Sequence, residues 1–296
     1  MLGYAGAMLV LAPWINQGGR WMLVVLACLF PGWLFMVDYG QNGWVTLLLL
    51  AVAARWASGW AGAWALGALV FKPLLLVGML PWVALLGAPR LAVRAGLASA
   101  IYIGVCCLVF GWEAHAAWWR TASGQVHTVG TWLLGVNVQS VVWSRVPEWA
   151  GASAAVWAGL VAAAALGRWR WSRETPWVGS GPAVLLAPLP GLLTLPYALH
   201  YDLVAALPGA VWVAVRIGEH RPGAGWAMGF AFCLIAALAT VPLSTGWNHT
   251  PVLLAGWIGL ALVLLPWSGK LDRGFQEEVR RMVAGIFCKG RSTPPR

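Results

Sequence analysis

The stretch GWVTLLLLAVAARWASGWAGAWALGALVF, residues 43–71, carries a single charged side chain, Arg55. Apolar runs of this kind fill most of the chain, separated by short turn or charge signals and without strict alternation. Apolar residues make up 60% of the 296 and charged residues 9%, where soluble domains run near about a quarter charged. So few charges cannot clothe a surface that faces water. The solvent implied is lipid. A backbone in lipid must satisfy its own hydrogen bonds, which leaves helices or a closed barrel. Long runs without alternation choose helices. The chain therefore reads as an all-α polytopic membrane protein.

Turn and charge signals divide the runs into about eleven transmembrane or short membrane-embedded helices. They lie near 2–15, 21–37, 43–55, 58–71, 73–87, 92–111, 149–167, 181–199, 201–218, 226–243 and 251–267. Several fall short of the roughly 20 residues that cross a bilayer upright. The 43–87 block reads as short helices buried in protein. One membrane domain, 1–267, is expected, with an outer loop at 112–148 and a cytoplasmic basic tail at 268–296.

The positive charges orient the chain. With RWRWSRE (168–174) in the cytoplasm and strict alternation elsewhere, only Lys72, Arg120 and Arg145 of the 19 Lys and Arg face outward. The net charge of +10 is then a topology signal and an attraction to anionic lipid. Nothing in it points to nucleic acid. In the tail, Leu271, Phe275, Val279, Met282 and Ile286 recur at helical spacing opposite Asp272, Arg273, Glu277, Glu278, Arg280 and Arg281. That pattern predicts an interfacial amphipathic helix.

The same orientation gathers the polar residues on the outer side. They are DYGQN (38–42), Lys72 in FKP, the 112–148 loop, YALHYD (197–202) and TGWNHT (245–250). Ionisable groups at membrane depth are candidates for a functional site, and several on one face predict a cavity open to the outside. Cys28, Cys106, Cys107, Cys233 and Cys288 have neither metal-ligand nor disulfide-framework spacing and read as small buried hydrophobes. His115, His127 and His249 read as outer-loop residues, and no His or acid pattern predicts a metal site.

At this point the residues carry a likeness. GQNGWVTLLLLAVAARWASGWAGAWALGALVFKPLLLVGMLPWVALL resembles glycosyltransferase family 87, part of the GT-C superfamily. That family includes polyprenol-phosphate-mannose-dependent mannosyltransferases. The shared pattern is Gly-Gln-x-Asn, a short helix, Ala-Gly in a small-residue helix, then Lys-Pro opening another apolar run. GVNVQSVVW (135–143) is similar to the family's Asn-Gln-Ser segment, and LPYALHYDLVAALP (195–208) to its aromatic-His-Tyr segment. The likeness spans roughly 20–215. Two motifs depart from it: in Gly40-Gln41-Asn42-Gly43 the asparagine comes one place early, and Asn137-Val138-Gln139-Ser140 holds an extra residue.

The resemblance implies a GT-C-like bundle that moves a mannose-like hexose from a polyprenyl-phosphate donor to a hydroxyl on a lipid or glycan acceptor. It implies the outer face of the plasma membrane and no cofactor. Its base is an aspartate on the first outer loop. The charge assignment puts Met1 outside, so the chain reads as lacking that N-terminal helix and loop, and as weakly active. On the residues present, Asp38 and Asp202 are the candidate bases. Gln41, Asn42, Lys72, Asn137, Gln139, His200 and Tyr201 are the candidate substrate-binding groups.

A departing phosphate asks for cations, the acceptor hydroxyl for a base, and the prenyl tail for an apolar groove. Each candidate also has an ordinary explanation. Lys72 can snorkel to the interface while Pro73 opens the next helix, and Gln41 and Asn42 can cap a helix. His200 and Asp202 can be plain interface residues. A transporter or flippase of a lipid-linked or small polar substrate is the rival class, and an inactive membrane subunit the third.

Cysteine scanning with an impermeant thiol reagent tests the orientation. Positions near Asn42, Gln125 and Asn248 should label from outside, and positions near Arg170 and Lys289 only after permeabilisation. Labelling at Gln125 from the cytoplasmic side would overturn it.

Overall fold

In the computed structural model, residues 17–31, 43–125, 159, 179–194, 202–239 and 250–265 are described. Among them the regular structure is entirely helical. Helix α1 is Gln17–Leu29, α2 Gly43–Arg55 and α3 Trp60–Gly67, the last running on as a 3-10 turn, Ala68–Phe71. Then come α4 Pro73–Leu86, α5 Pro89–Phe110 and α6 Trp112–Gln125. After the gap follow α7 Ser180–Leu186, α8 Pro188–Thr194, α9 Leu203–Gly218, α10 Pro222–Leu238 and α11 Thr250–Leu264.

Local chemistry sets many of these boundaries. Prolines open α4, α5 and α10, where the missing N–H costs nothing and φ is already helical. Gly87 and Gly111 end α4 and α5 at φ 131° and 78°, backbone angles that a side chain would strain. The run expected as 181–199 is broken after Ala187, because Pro188 cannot donate to the turn before it. The segment 112–148, expected as a loop, begins instead with a helix, α6. Glu113 stands in its first turn, where a carboxylate suits the positive end of the dipole, and alanines follow. The expected helices at 2–15 and, residue 159 apart, 149–167, and the amphipathic tail lie outside the described residues.

Helix α9 is the centre. Of its residues all but Trp212, Arg216 and Gly218 are buried, and α1, α2, α7, α8 and α10 pack around it. Close approach is bought with glycine. A Cβ on Gly209 would overlap the Leu185 carbonyl of α7, and one on Gly225 would meet the Ala214 carbonyl and the Gly218 backbone. On α3, Gly67 lets α5 come up to Ala98, and the Ser99 hydroxyl shares its proton between the Gly67 carbonyl at 3.1 Å and the Ala95 carbonyl at 2.8 Å. On the other side Phe30, just past the end of α1, stacks on Phe232 of α10. Trp257 of α11 packs on Phe232 and donates its indole N–H to the Met228 carbonyl at 2.8 Å.

Helix α5 is different. It packs on α3, α4 and α6 but turns Leu97, Ile101, Val105, Leu108 and Phe110 outward. With 22 residues it is, among those described, the one helix long and apolar enough to cross a membrane. Seven shorter apolar helices of 10–17 residues accompany it. Only Cys233 is buried among the described cysteines; Cys28 is exposed, and Cys106 and Cys107 are intermediate. The expectation of buried thiols fails for these three because they lie on faces of α1 and α5 that the bundle leaves partly or wholly uncovered.

The α7–α9 crossing is testable. Gly209→Ala should lower stability by about 1–3 kcal/mol, as overpacking against fixed backbone does. Gly96→Ala on α5, where an added Cβ meets nothing within 4 Å, should leave thermal unfolding unchanged or slightly raised. Equal behaviour of the two variants would show that the close approach is not real.

Candidate functional site

The site begins with two helix heads. Lys72 follows the 3-10 turn and precedes Pro73, with φ −120° and ψ 69°, outside the helical region that a following proline disfavours. Its N–H bonds to the Leu69 carbonyl at 2.7 Å and its carbonyl accepts from Leu76 N–H at 3.1 Å. The lysine is therefore fixed at the N-terminus of α4. Asp202 immediately precedes α9 and makes no side-chain bond to the first amides of that helix. Its carboxylate turns instead to Lys72. The ammonium donates to Asp202 Oδ1 at 2.7 Å across 130 residues of chain, and each side chain keeps 14% of its surface.

The helices that hold these heads explain the meeting. Helix α8 packs on α4 and on α9, and α7 packs on the same two. Gly191 of α8 lies against Met79 and Gly78 of α4, while Leu185 of α7 lies against Gly209 of α9. The broken α7–α8 helix thus bridges α4 and α9.

The arginines lie elsewhere. Arg94 of α5 donates to the Ser58 carbonyl at 3.2 Å and covers the Trp60 ring, and Arg55 lies over Trp56. Both are at the α2–α3 turn, separated from Lys72 by the length of α3 and the 3-10 turn, about 20 Å at helical rise. Arg216, over Trp212 and paired with Glu219 at 2.8 Å, is at the far end of α9 from Asp202. Guanidinium groups over tryptophan occupy one set of helix ends, and the Lys72–Asp202 pair another.

Of the candidate residues named from sequence, the structure brings together Lys72 and Asp202. Asp38, Gln41, Asn42, Asn137, Gln139, His200 and Tyr201 lie outside the described residues, as do His127 and His249. His115 sits on α6 with Nδ1 3.2 Å from the Gly111 carbonyl one turn back. Among the described residues no group of three or more His, Cys, Asp or Glu is placed to hold a metal ion.

Sequence reasoning named both members of the pair but gave them separate tasks, Lys72 as a substrate-binding group and Asp202 as a base; the structure pairs them. Removing Lys72 leaves a partly buried carboxylate without its ammonium. Sequence reasoning also passed over Thr46, fully buried on α2, whose hydroxyl has no hydrogen-bond partner. A helical threonine ordinarily bonds back to its own preceding turn, so the residue type gave no warning; a buried hydroxyl left open is uncommon.

Comparison with protein-family models, with curated proteins and with solved structures found no match.

A double-mutant cycle measures the pair. Lys72→Met and Asp202→Asn should each destabilise by about 1–3 kcal/mol, less than the about 3–5 kcal/mol for a fully buried pair because both side chains still reach solvent. The double variant should lose less than the sum of the two. Strict additivity would mean the two charges do not interact.

Proposed function

We propose that the chain is a multi-pass membrane hexosyltransferase of GT-C type, taking a mannose-like sugar from a polyprenyl-phosphate donor on the outer face of the plasma membrane. The observation that carries the reading is the Lys72–Asp202 ion pair. It joins FKP to YALHYD, two of the segments on which the resemblance to glycosyltransferase family 87 rests. The outward apolar face of α5 supports the membrane setting, since an exposed apolar surface of that extent is poorly tolerated in water.

The chemistry asked of these residues is limited. The bond from sugar C1 to the phosphate oxygen breaks and its electron pair stays on the phosphate, which gains one negative charge. The acceptor oxygen bonds to C1, and its proton passes to a carboxylate, for which Asp38 and Asp202 are this chain's candidates. Lys72 meets the phosphate charge as it grows, the kind of interaction that lowers a barrier because it strengthens toward the transition state. Gln41, Asn42, Asn137, Gln139, His200 and Tyr201 are proposed to face the sugar or the phosphate. The acceptor is a lipid or glycan hydroxyl.

One observation favours the second reading, a transporter or flippase. The break between α7 and α8, in a helix that packs on both α4 and α9, is the kind of interruption that transporters place at a binding site.

Purified protein in liposomes, supplied with a radiolabelled prenyl-phosphate hexose, separates the two. Transfer to a lipid or glycan hydroxyl supports the first reading; movement of intact donor between leaflets without transfer supports the second. Lys72→Met should weaken donor binding about ten- to a hundredfold, the loss of one charge-assisted contact of ~1.5–3 kcal/mol. Lys72→Arg should retain most of it. Unchanged donor binding in Lys72→Met would remove the lysine from the site.

A further inference from the structure

We propose that the α2–α3 turn and the head of α5 form a binding site for an anionic phospholipid, with its phosphate on Arg55, Arg90 and Arg94 and its acyl chains along α5. The site rests on the membrane setting proposed above and on none of the transfer chemistry.

Three guanidiniums gather at the end of the bundle away from Lys72. Arg55 is the last residue of α2, and Arg90 and Arg94 stand in the first turns of α5. Four apart on one helix, Arg90 and Arg94 share a face. Arg94 reaches the turn itself, donating to the Ser58 carbonyl at 3.2 Å, three residues on from Arg55. The turn is tight. Gly59 N–H bonds to the Trp56 carbonyl at 3.0 Å, and a Cβ on Gly62 would overlap that same carbonyl. Arg55 lies 5.9 Å from the centroid of Trp56 and Arg94 5.3 Å from that of Trp60. An aromatic face beneath a guanidinium holds its plane and consumes none of its N–H donors, which are what a phosphate binds.

The elements that carry these charges do not answer them. Residues 43–111, which span α2 to α5, contain no aspartate or glutamate. Of the helices packed on α2 and α5, α7 has no acid, and Glu113 of α6 stands beyond the opposite end of α5. Helix α9 is flanked by Asp202, joined to Lys72, and by Glu219, joined to Arg216. An incoming anion therefore meets three positive charges and no carboxylate built into the same platform.

The surroundings select a lipid over a soluble anion. Trp56 and Trp60 are exposed beside the arginines, and indoles favour the boundary between headgroups and hydrocarbon. Arg90 heads a stripe of exposed apolar residues on α5, Val93, Leu97 and Ile101, which runs about 12 Å along the helix. A free phosphate would use the guanidiniums alone. A phospholipid uses the guanidiniums, the indoles and the stripe. A zwitterionic headgroup brings its own cation to the platform, so the gain belongs to anionic lipid.

The test uses the full chain in detergent micelles, with lipid binding read by native mass spectrometry. The probes are dioleoylphosphatidylglycerol, dioleoylphosphatidylcholine and glycerol 3-phosphate. The native chain should prefer phosphatidylglycerol over phosphatidylcholine by about tenfold or more, and each single Arg→Gln change at 55, 90 or 94 should reduce that preference about three- to fivefold. The triple variant should abolish it. Arg221→Gln removes the same charge from the head of α10, which packs on α1, α9 and α11, and should leave the preference unchanged. Arg55→Gln/Arg90→Gln keeps the Arg94–Ser58 hydrogen bond and gives the readout should the triple variant unfold. If the native chain binds both lipids alike, or the double and triple variants keep the preference, the site is overturned and the membrane setting stands. Displacement of phosphatidylglycerol by an equal concentration of glycerol 3-phosphate would overturn the lipid assignment. A chain that stays monodisperse without detergent or lipid removes the membrane setting, and the site with it.

Discussion

Helix α9 is apolar on nearly every side, and much of the rest of the bundle serves to cover it. Thirteen of its sixteen residues are buried, more than one neighbour could achieve. Five helices share the task, and the glycines at 209 and 225 mark where backbones come closest. Helix association in lipid gains little from the hydrophobic effect and depends on such close packing. On the membrane reading, these small residues are what hold the bundle together.

That burial has an electrostatic consequence. A helix so enclosed can carry charge only at its ends. Asp202 occupies one end and Arg216 the other, each suited to the local sign of the dipole and each tied to a counter-charge. Arg216 finds its partner three residues on, within the same turn of chain. Asp202 finds its partner 130 residues away, and so binds the two sides of the bundle together at one face. Helix α5 stands outside this arrangement: covered by few neighbours, it leaves most of its apolar length exposed, and its requirements are those of the surrounding solvent.

The proposed chemistry follows from the same asymmetry. Arg55, Arg94 and Arg216 lie over tryptophan faces, and Arg216 also pairs with Glu219 within its own turn. Lys72 instead meets a carboxylate, that of Asp202 at the head of α9, at 2.7 Å.

Local chemistry made much of the fold legible in the sequence. Helix α2 was readable to the residue, and α4, α9 and α11 to within a few, because apolar runs ended by proline, glycine or arginine leave the backbone few choices. The scarcity of charge pointed to helices throughout, and alternation of the arginines separated Lys72 from Arg55, Arg94 and Arg216. Two local features were missed, and tertiary structure alone decided the rest. The break at Pro188 and the helix at 112–125 turned on short-range balances that periodicity does not weigh. The orphan hydroxyl of Thr46 depends on what surrounds α2. Above all, Lys72 and Asp202 could each be named as polar outliers, but their pairing is a matter of how α7 and α8 dock between α4 and α9. A contact across 130 residues is fixed by packing geometry, which no local window of sequence contains.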